Sequence, residues 1–232
     1  MASWSESVAA LIETSVPHAS VYMLEVDEDS RLGRELLSGG TRYHAGLIPN
    51  DDTIARMYEF GIETLAQAGL EQYEISNFAQ PGRESRHNLR YWRRRPYLGV
   101  GLDASSALCA ARPVETRGPR PVMRATTTDD LPAYLTGPQP AEITWLSPAR
   151  QHEEAWFLGL RLNAGVRAAD VSSEFGSALV DRVLPVIENA ATRGLLDHDG
   201  DHVRLTPRGR LLSNEVFQQF VDTEAEPAAP GQ

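Results

Sequence analysis

The segment YEISNFAQPGRESRHNLRYWRRRPYLGVGLDASS, residues 73–106, carries the clearest structural and chemical signals in the chain. Apolar and polar side chains alternate over residues 73–77, which is typical of a strand. The Pro-Gly pair at 81–82 predicts a turn. A second apolar run, residues 97–100, predicts another strand that ends in a glycine turn. The segment therefore predicts two strands separated by a long loop.

The loop between these strands contains His87, Asn88, Tyr91 and Trp92 within six residues. Arginines surround them at positions 83, 86, 90, 93, 94 and 95. Imidazole is a standard axial ligand of heme iron, and aromatic rings offer flat faces to a macrocycle. Guanidinium groups form charge-assisted hydrogen bonds with carboxylates such as propionates. The segment thus suits a flat, anionic, iron-bearing ligand, but the residues alone favour a histidine that only caps Asn88 or the loop backbone.

The same arginines also fit a second interpretation, an RNA-binding module. Basic residues interleaved with aromatic ones can contact phosphates and stack on bases. The chain as a whole carries a net charge of -10, which opposes binding to nucleic acid. We therefore expect no nucleic-acid partner, and the RNA-binding module stays an alternative.

Composition limits the remaining function classes. The 232 residues contain a single cysteine, Cys109, which excludes a disulfide framework and a four-cysteine metal site built from this chain alone. The N-terminus lacks the pattern of a signal peptide, and no apolar stretch approaches the ~20 residues of a membrane span. We expect a cytoplasmic protein with at most a peripheral membrane contact.

The order of predicted elements indicates an α/β fold. Residues 3–14 predict a helix, and the apolar run 20–26 predicts a strand buried on both faces of a parallel sheet. Apolar residues at helical spacing over 54–65 predict a crossover helix, with Asn50 among its candidate N-caps and Gly69 at its end.

Domain organisation is predicted from a change in composition after residue 110. Residues 1–110 are expected to form one α/β domain, and the six prolines of 111–147 predict a linker. Residues 148–221 predict a mainly helical, winged-helix-like domain with a strand pair before a helix at Thr206-Pro207. Residues 222–232 predict a disordered tail.

The hexapeptide HNLRYW, residues 87–92, resembles the HNxxYW signature of the bacterial heme chaperones. These belong to the radical-SAM, oxygen-independent coproporphyrinogen III oxidase-like family. Further segments that resemble the family, in its order, are 20–33, 48–52, 73–82, 97–106, 153–162 and 205–217. The resemblance implies the C-terminal part of a TIM-like radical-SAM barrel followed by a mainly helical, winged-helix-like module.

The resemblance also implies a function in porphyrin and heme metabolism. It implies that heme is bound by His87, Asn88, Tyr91 and Trp92, with His87 as the iron ligand, and is passed to recipient hemoproteins. The remaining alternative within the family is one half of a coproporphyrinogen III dehydrogenase-like enzyme that needs a partner chain.

The resemblance implies that the glycine turn and the side chain of Glu25 lie near an S-adenosylmethionine site. In the family this turn lies at the rim of the barrel, which implies contacts from Gly99, Gly101 and Ser105. Glu25 follows a predicted barrel strand and is implied to point to the same rim. Ser105 stands where the family often has histidine.

The departure from the family pattern is the absence of the CxxxCxxC motif that holds its [4Fe–4S] cluster. We therefore expect that this chain alone holds neither the cluster nor S-adenosylmethionine, and that it is not catalytic. It is expected to be a truncated gene product or half of a split one. The strand at 20–26 would then have an open edge, which predicts a homodimer or a partner supplying the missing N-terminal half.

Overall fold

Helices and short strands alternate along the chain, which confirms the α/β class. The computed structural model describes residues 1–110, 118–137 and 140–221. It divides the chain into two units, Met1–Ser85 and Arg86–Gln232. This boundary lies before the one expected at residue 110.

The first unit packs helices against a three-stranded antiparallel sheet of order β1-β3-β2. Its elements are α1 (Ala2–Glu13), β1 (His18–Ser20), α2 (Arg31–Ser38), a 3₁₀ turn (Ala45–Leu47), α3 (Asp51–Gln67), β2 (Glu71–Glu74) and β3 (Asn77–Ala79). The expected helices at 3–14 and 54–65 are confirmed as α1 and α3. The Asn50 side chain caps α3 by accepting a hydrogen bond from the Thr53 backbone N–H, and Gly69 follows its end with a left-handed φ of 82°.

The core of the first unit lies between α1, α3 and the sheet. Four fully buried side chains form it, namely Val8, Leu65, Leu70 and Phe78. The indole N–H of Trp4 donates a hydrogen bond to the carbonyl of Met57, at 2.7 Å, and so ties α1 to α3. Burial of this apolar surface stabilises the unit far more than the short strand ladders do.

The expected long strand at 20–26 and the parallel sheet are wrong. β1 ends at Ser20, and Tyr22 and Leu24 are exposed. A buried strand needs backbone partners along its length, and the neighbouring β3 has only three residues. Every strand ladder among the described residues is antiparallel, and those residues form no barrel.

The strand expected at 73–77 is instead a hairpin. β2 and β3 pair on either side of a tight turn at residues 75–76. The strand expected at 97–100 is reduced to a single antiparallel bridge between Tyr97 and Ala107.

The second unit contains two three-stranded antiparallel sheets and most of the helices. The central sheet has the order β4-β5-β6, and the C-terminal sheet has the order β7-β9-β8. Its elements are α4 (Arg86–Trp92), β4 (Ser105–Cys109), β5 (Val122–Thr127), α5 (Leu131–Thr136), β6 (Pro140–Leu146), α6 (Pro148–Gly159), β7 (Val166–Arg167), α7 (Ala168–Phe175), α8 (Ser177–Thr192), β8 (Leu196–His198), β9 (His202–Leu205), α9 (Pro207–Leu211) and α10 (Ser213–Gln218).

The expected linker is wrong for residues 118–137 and 140–146, which contain β5, α5 and β6. Two prolines of the described part occupy positions that regular structure tolerates. Pro132 lies in the first turn of α5, behind the N-cap Asp130, and Pro140 begins the edge strand β6. Residues 111–117 and the predicted disordered tail at 222–232 lie outside the described residues.

The predicted C-terminal elements are present. Trp156 of α6 is fully buried and stacks on Phe220, with ring centroids 5.7 Å apart. The Thr206 side chain caps α9 by accepting a hydrogen bond from the Gly209 N–H, and Pro207 occupies the first turn. The hairpin of β8 and β9 between α8 and α9 gives the winged-helix-like arrangement.

The glycine turn before β4 is fixed by close backbone contacts. A Cβ atom on Gly99 would lie 2.2 Å from the carbonyl oxygen of Ser105. Gly101 accepts a hydrogen bond from the Thr127 hydroxyl at 2.6 Å, and its N–H donates to the Tyr134 hydroxyl at 3.1 Å. The turn is thereby held against β5 and α5.

Replacing Phe78 by alanine should lower the free energy of unfolding by about 3–5 kcal/mol, because it removes a fully buried aromatic side chain and leaves a cavity. Urea unfolding followed by circular dichroism measures this change. The matched control is Leu47→Ala, since Leu47 is 80% exposed and its loss should change the free energy by less than about 0.5 kcal/mol. Equal effects of the two variants would contradict the assigned core.

Replacing Gly99 by alanine should destabilise the second unit by about 1–3 kcal/mol, because the new methyl group must displace backbone. Gly137→Ala is the control, since a Cβ at Gly137 meets nothing within 4 Å and its φ of 164° is extended. Thermal unfolding of both variants tests the prediction. If Gly99→Ala melts at the temperature of the control, the close approach to Ser105 is not present.

Candidate functional site

The HNxxYW motif lies on a helix, α4, rather than on the expected loop. Residues four apart share one side of a helix, so the motif separates into two pairs. His87 lies beside Tyr91, and Asn88 occupies the same side as Trp92. His87 is exposed, whereas the other three side chains are partly buried.

Aromatic contacts connect the His87 side of α4 to the chain that follows. The rings of His87 and Tyr91 meet edge to face with centroids 4.8 Å apart, and Tyr91 meets Tyr97 in the same way at 4.6 Å. A shallow cavity of about 380 Å³, the His87 cavity, opens beside these rings. It is lined by His87, Arg90, Tyr91, Pro96, Tyr97, Leu98 and Leu108.

Trp92 does not line the His87 cavity. The guanidinium of Arg161 lies 4.3 Å from the centroid of its indole ring, a cation–π contact that holds α4 against the start of the C-terminal elements. The expectation that all four motif side chains surround one ligand thus stays a prediction, and the geometry separates His87 from Trp92.

A second, larger cavity of about 890 Å³, the sheet-face cavity, is also lined by Tyr91. One face of the central sheet forms its floor, because Ala107 pairs with Arg124 and Val122 pairs with both Cys109 and Leu146. The remaining lining residues are Tyr91, Trp92, Arg94, Arg95, Tyr97, Gly118, Pro119, Arg120, Gln151, Glu154, Leu158, Ser173 and Glu174.

Two ion pairs line the sheet-face cavity. Arg94 donates two hydrogen bonds to the carboxylate of Glu174, at 2.6 and 3.2 Å, and Arg124 lies 2.6 Å from Glu154. Burial raises the pKa of Glu154 above the ordinary carboxyl value, and the positive charge of Arg124 offsets only part of this rise. Burial likewise raises the pKa of the Tyr97 hydroxyl, which therefore keeps its proton at neutral pH.

Some arginines of the cluster around the motif make contacts within the second unit. Arg90 donates a hydrogen bond to the carbonyl of Pro96, and Arg94 pairs with Glu174 and lies over the ring of Phe175. These contacts leave fewer guanidinium groups for a nucleic-acid backbone than the sequence implied.

The residues implied for S-adenosylmethionine belong to two different units. Glu25 is exposed in the first unit, whereas Gly99, Gly101 and Ser105 belong to the second. Ser105 is exposed at the start of β4, and its hydroxyl lies 3.4 Å from that of Thr126. The contacts of Gly99 and Gly101 explain these glycines structurally, and a cofactor contact stays a prediction.

Sequence reasoning missed Tyr97 and Leu108 as members of the site. Tyr97 reaches Tyr91 because its backbone bridges to Ala107, a long-range pairing that no local pattern indicates. Within the described ranges no three His, Cys, Asp or Glu side chains group as metal ligands, so His87 is a candidate ligand for heme iron alone. None of the described helices is long and apolar enough to cross a membrane.

Comparisons with known proteins agree with this architecture. A family model described as HemN C-terminal domain matches residues 146–212. The solved structure of coproporphyrinogen III oxidase (HemN) from Escherichia coli, a radical SAM enzyme, superposes with a TM-score of 0.65 at 16% identity. The match covers 94% of this chain and 51% of that one. It supports the fold.

Curated relatives give the closer sequence similarity. The heme chaperone HemW of Bacillus subtilis is 34% identical over 93% of this chain and 54% of its own length. The heme chaperone HemW of Mycobacterium tuberculosis H37Rv is 32% identical over 93% of this chain and 50% of its own length. The chain therefore spans about half the length of the curated relatives it matches. Over nearly its whole length the chain is similar to bacterial heme chaperones named HemW, and residues 146–212 match the C-terminal domain of HemN, so the chain resembles the C-terminal part of those proteins.

Proposed function

We propose that the chain binds heme at the His87 cavity, with the His87 imidazole as an axial ligand of the iron. The observation that carries this proposal is an exposed imidazole at the edge of an aromatic and apolar cavity. Imidazole is a common ligand of heme iron, and apolar walls suit the macrocycle.

The neighbouring side chains support the fit. Tyr91 meets the edge of the His87 ring and thereby orients it. Leu98 is 70% exposed and lies with Leu108 along the cavity, which gives apolar surface for the porphyrin. Arg90 uses one guanidinium nitrogen on Pro96, and its other N–H groups can pair with a propionate. Asn88 and Trp92 do not line this cavity, and Trp92 instead contacts Arg161 and so helps to hold α4 in place.

The openness of the site suits transfer to a recipient hemoprotein. An acceptor ligand can approach the iron only where the donor protein leaves one face accessible. His87 is exposed and comes from a short surface helix, so the iron would remain within reach of an incoming ligand. The names of the relatives as heme chaperones support this proposal.

We assign neither a [4Fe–4S] cluster nor S-adenosylmethionine to this chain alone. Its one cysteine gives too few thiolates for the cluster that the CxxxCxxC motif holds in the family. That chemistry would need a partner polypeptide that carries the CxxxCxxC motif, because a second copy of this chain would add only one more cysteine.

Replacing His87 by alanine should weaken hemin binding at least tenfold, a change of about 1.4 kcal/mol, because the iron loses its protein ligand. It should also shift the Soret band of the bound hemin. Titration of the folded chain with hemin, followed by absorbance, measures both effects.

The matched control is His202→Ala, which removes another exposed histidine of the same unit. It should leave the affinity and the Soret band unchanged. If His87→Ala binds hemin with the affinity and spectrum of the unaltered chain, His87 is not the iron ligand and the proposal fails.

A further inference from the structure

We propose that the sheet-face cavity is a second ligand site, independent of His87, for a planar aromatic molecule that carries at least two negative charges. The cavity has a volume of about 890 Å³, within the ~300–1,000 Å³ typical of small-molecule sites. His87 does not line it. The site therefore recognises its ligand without coordinating a metal through that histidine.

The charge of the cavity selects an anion. Four arginines and two glutamates line it, which leaves two positive charges in excess, although the whole chain carries -10. Glu174 and Glu154 neutralise Arg94 and Arg124. The excess therefore belongs to the two remaining arginines.

Those two arginines are Arg95 and Arg120. Both side chains are exposed, and over the described ranges neither has an ion pair with a carboxylate. Guanidinium groups bind carboxylates and phosphates through paired hydrogen bonds. A ligand with two anionic groups would match the two uncompensated charges.

The walls select a flat, partly aromatic body for that anion. Tyr91, Trp92 and Tyr97 line the cavity together with Ala107, Val122 and Leu146 of the central sheet. These rings and apolar side chains suit the faces of a flat ligand.

Tyr91 and Tyr97 line both cavities, so the two sites share one pair of rings. Two kinds of small molecule have the features that the sheet-face cavity would recognise. A nucleoside polyphosphate supplies a purine and phosphates, and a metal-free porphyrin supplies a macrocycle and two carboxylates. Both are planar polyanions, and separate titrations distinguish them.

The test titrates the whole chain with ATP and, separately, with protoporphyrin IX, following tryptophan fluorescence and heat of binding. At least one probe should bind. Arg95→Ala and Arg120→Ala should each weaken that binding about tenfold, because each removes a charge-assisted contact. Adenosine, which keeps the purine and lacks phosphates, should bind at least tenfold more weakly than ATP if the nucleotide is the ligand.

Two controls separate this site from the His87 cavity. Arg93→Ala removes an exposed arginine that lies beside Arg94 and does not line the cavity, and it should leave the affinity unchanged. His87→Ala should also leave it unchanged, whatever its effect on hemin. The proposal is overturned if neither probe binds, if the Arg95 and Arg120 variants bind as tightly as the unaltered chain, or if His87→Ala abolishes binding.

Discussion

The edge-to-face contact of Tyr91 with Tyr97 is the interaction on which the second unit's binding surfaces depend. Tyr97 is held by two backbone hydrogen bonds with Ala107, at 2.8 and 3.0 Å, and so belongs to the edge of the central sheet. Tyr91 belongs to α4. Their contact therefore packs a helix against a sheet, and both rings contribute to the lining of each cavity.

Several helices, among them α1, α3 and α9, could be predicted from sequence because their signals are local. The apolar spacing before Gly69 and the Thr206-Pro207 start each lie within a few residues of the structure they specify. Strands depend on partners far along the chain, and the apolar run at 20–26 has a neighbour too short to pair with it. Prolines mark breaks only when they fall inside an element, whereas Pro132 and Pro140 lie at element starts.

The site residues also differ in whether the nearby sequence or only a distant strand pairing specifies them. His87 and Tyr91 were identified from residue type and from the resemblance, but their spacing was interpreted as a loop. Once the segment is a helix, the spacing itself explains why His87 pairs with Tyr91 and why Trp92 lies apart. Arg120 could not be assigned from sequence, because only the pairing of β4 with β5 brings it beside the residues that follow α4.

The floor of the larger cavity contains Cys109, an exposed thiol and the one cysteine of the whole sequence. Its position means that any reagent selective for thiols reacts at a single place on this protein, inside a cavity rather than on a random surface. A fluorophore attached there would sit among the aromatic rings and arginines of the lining. The native sequence thus already contains a unique attachment point for an optical reporter of occupancy.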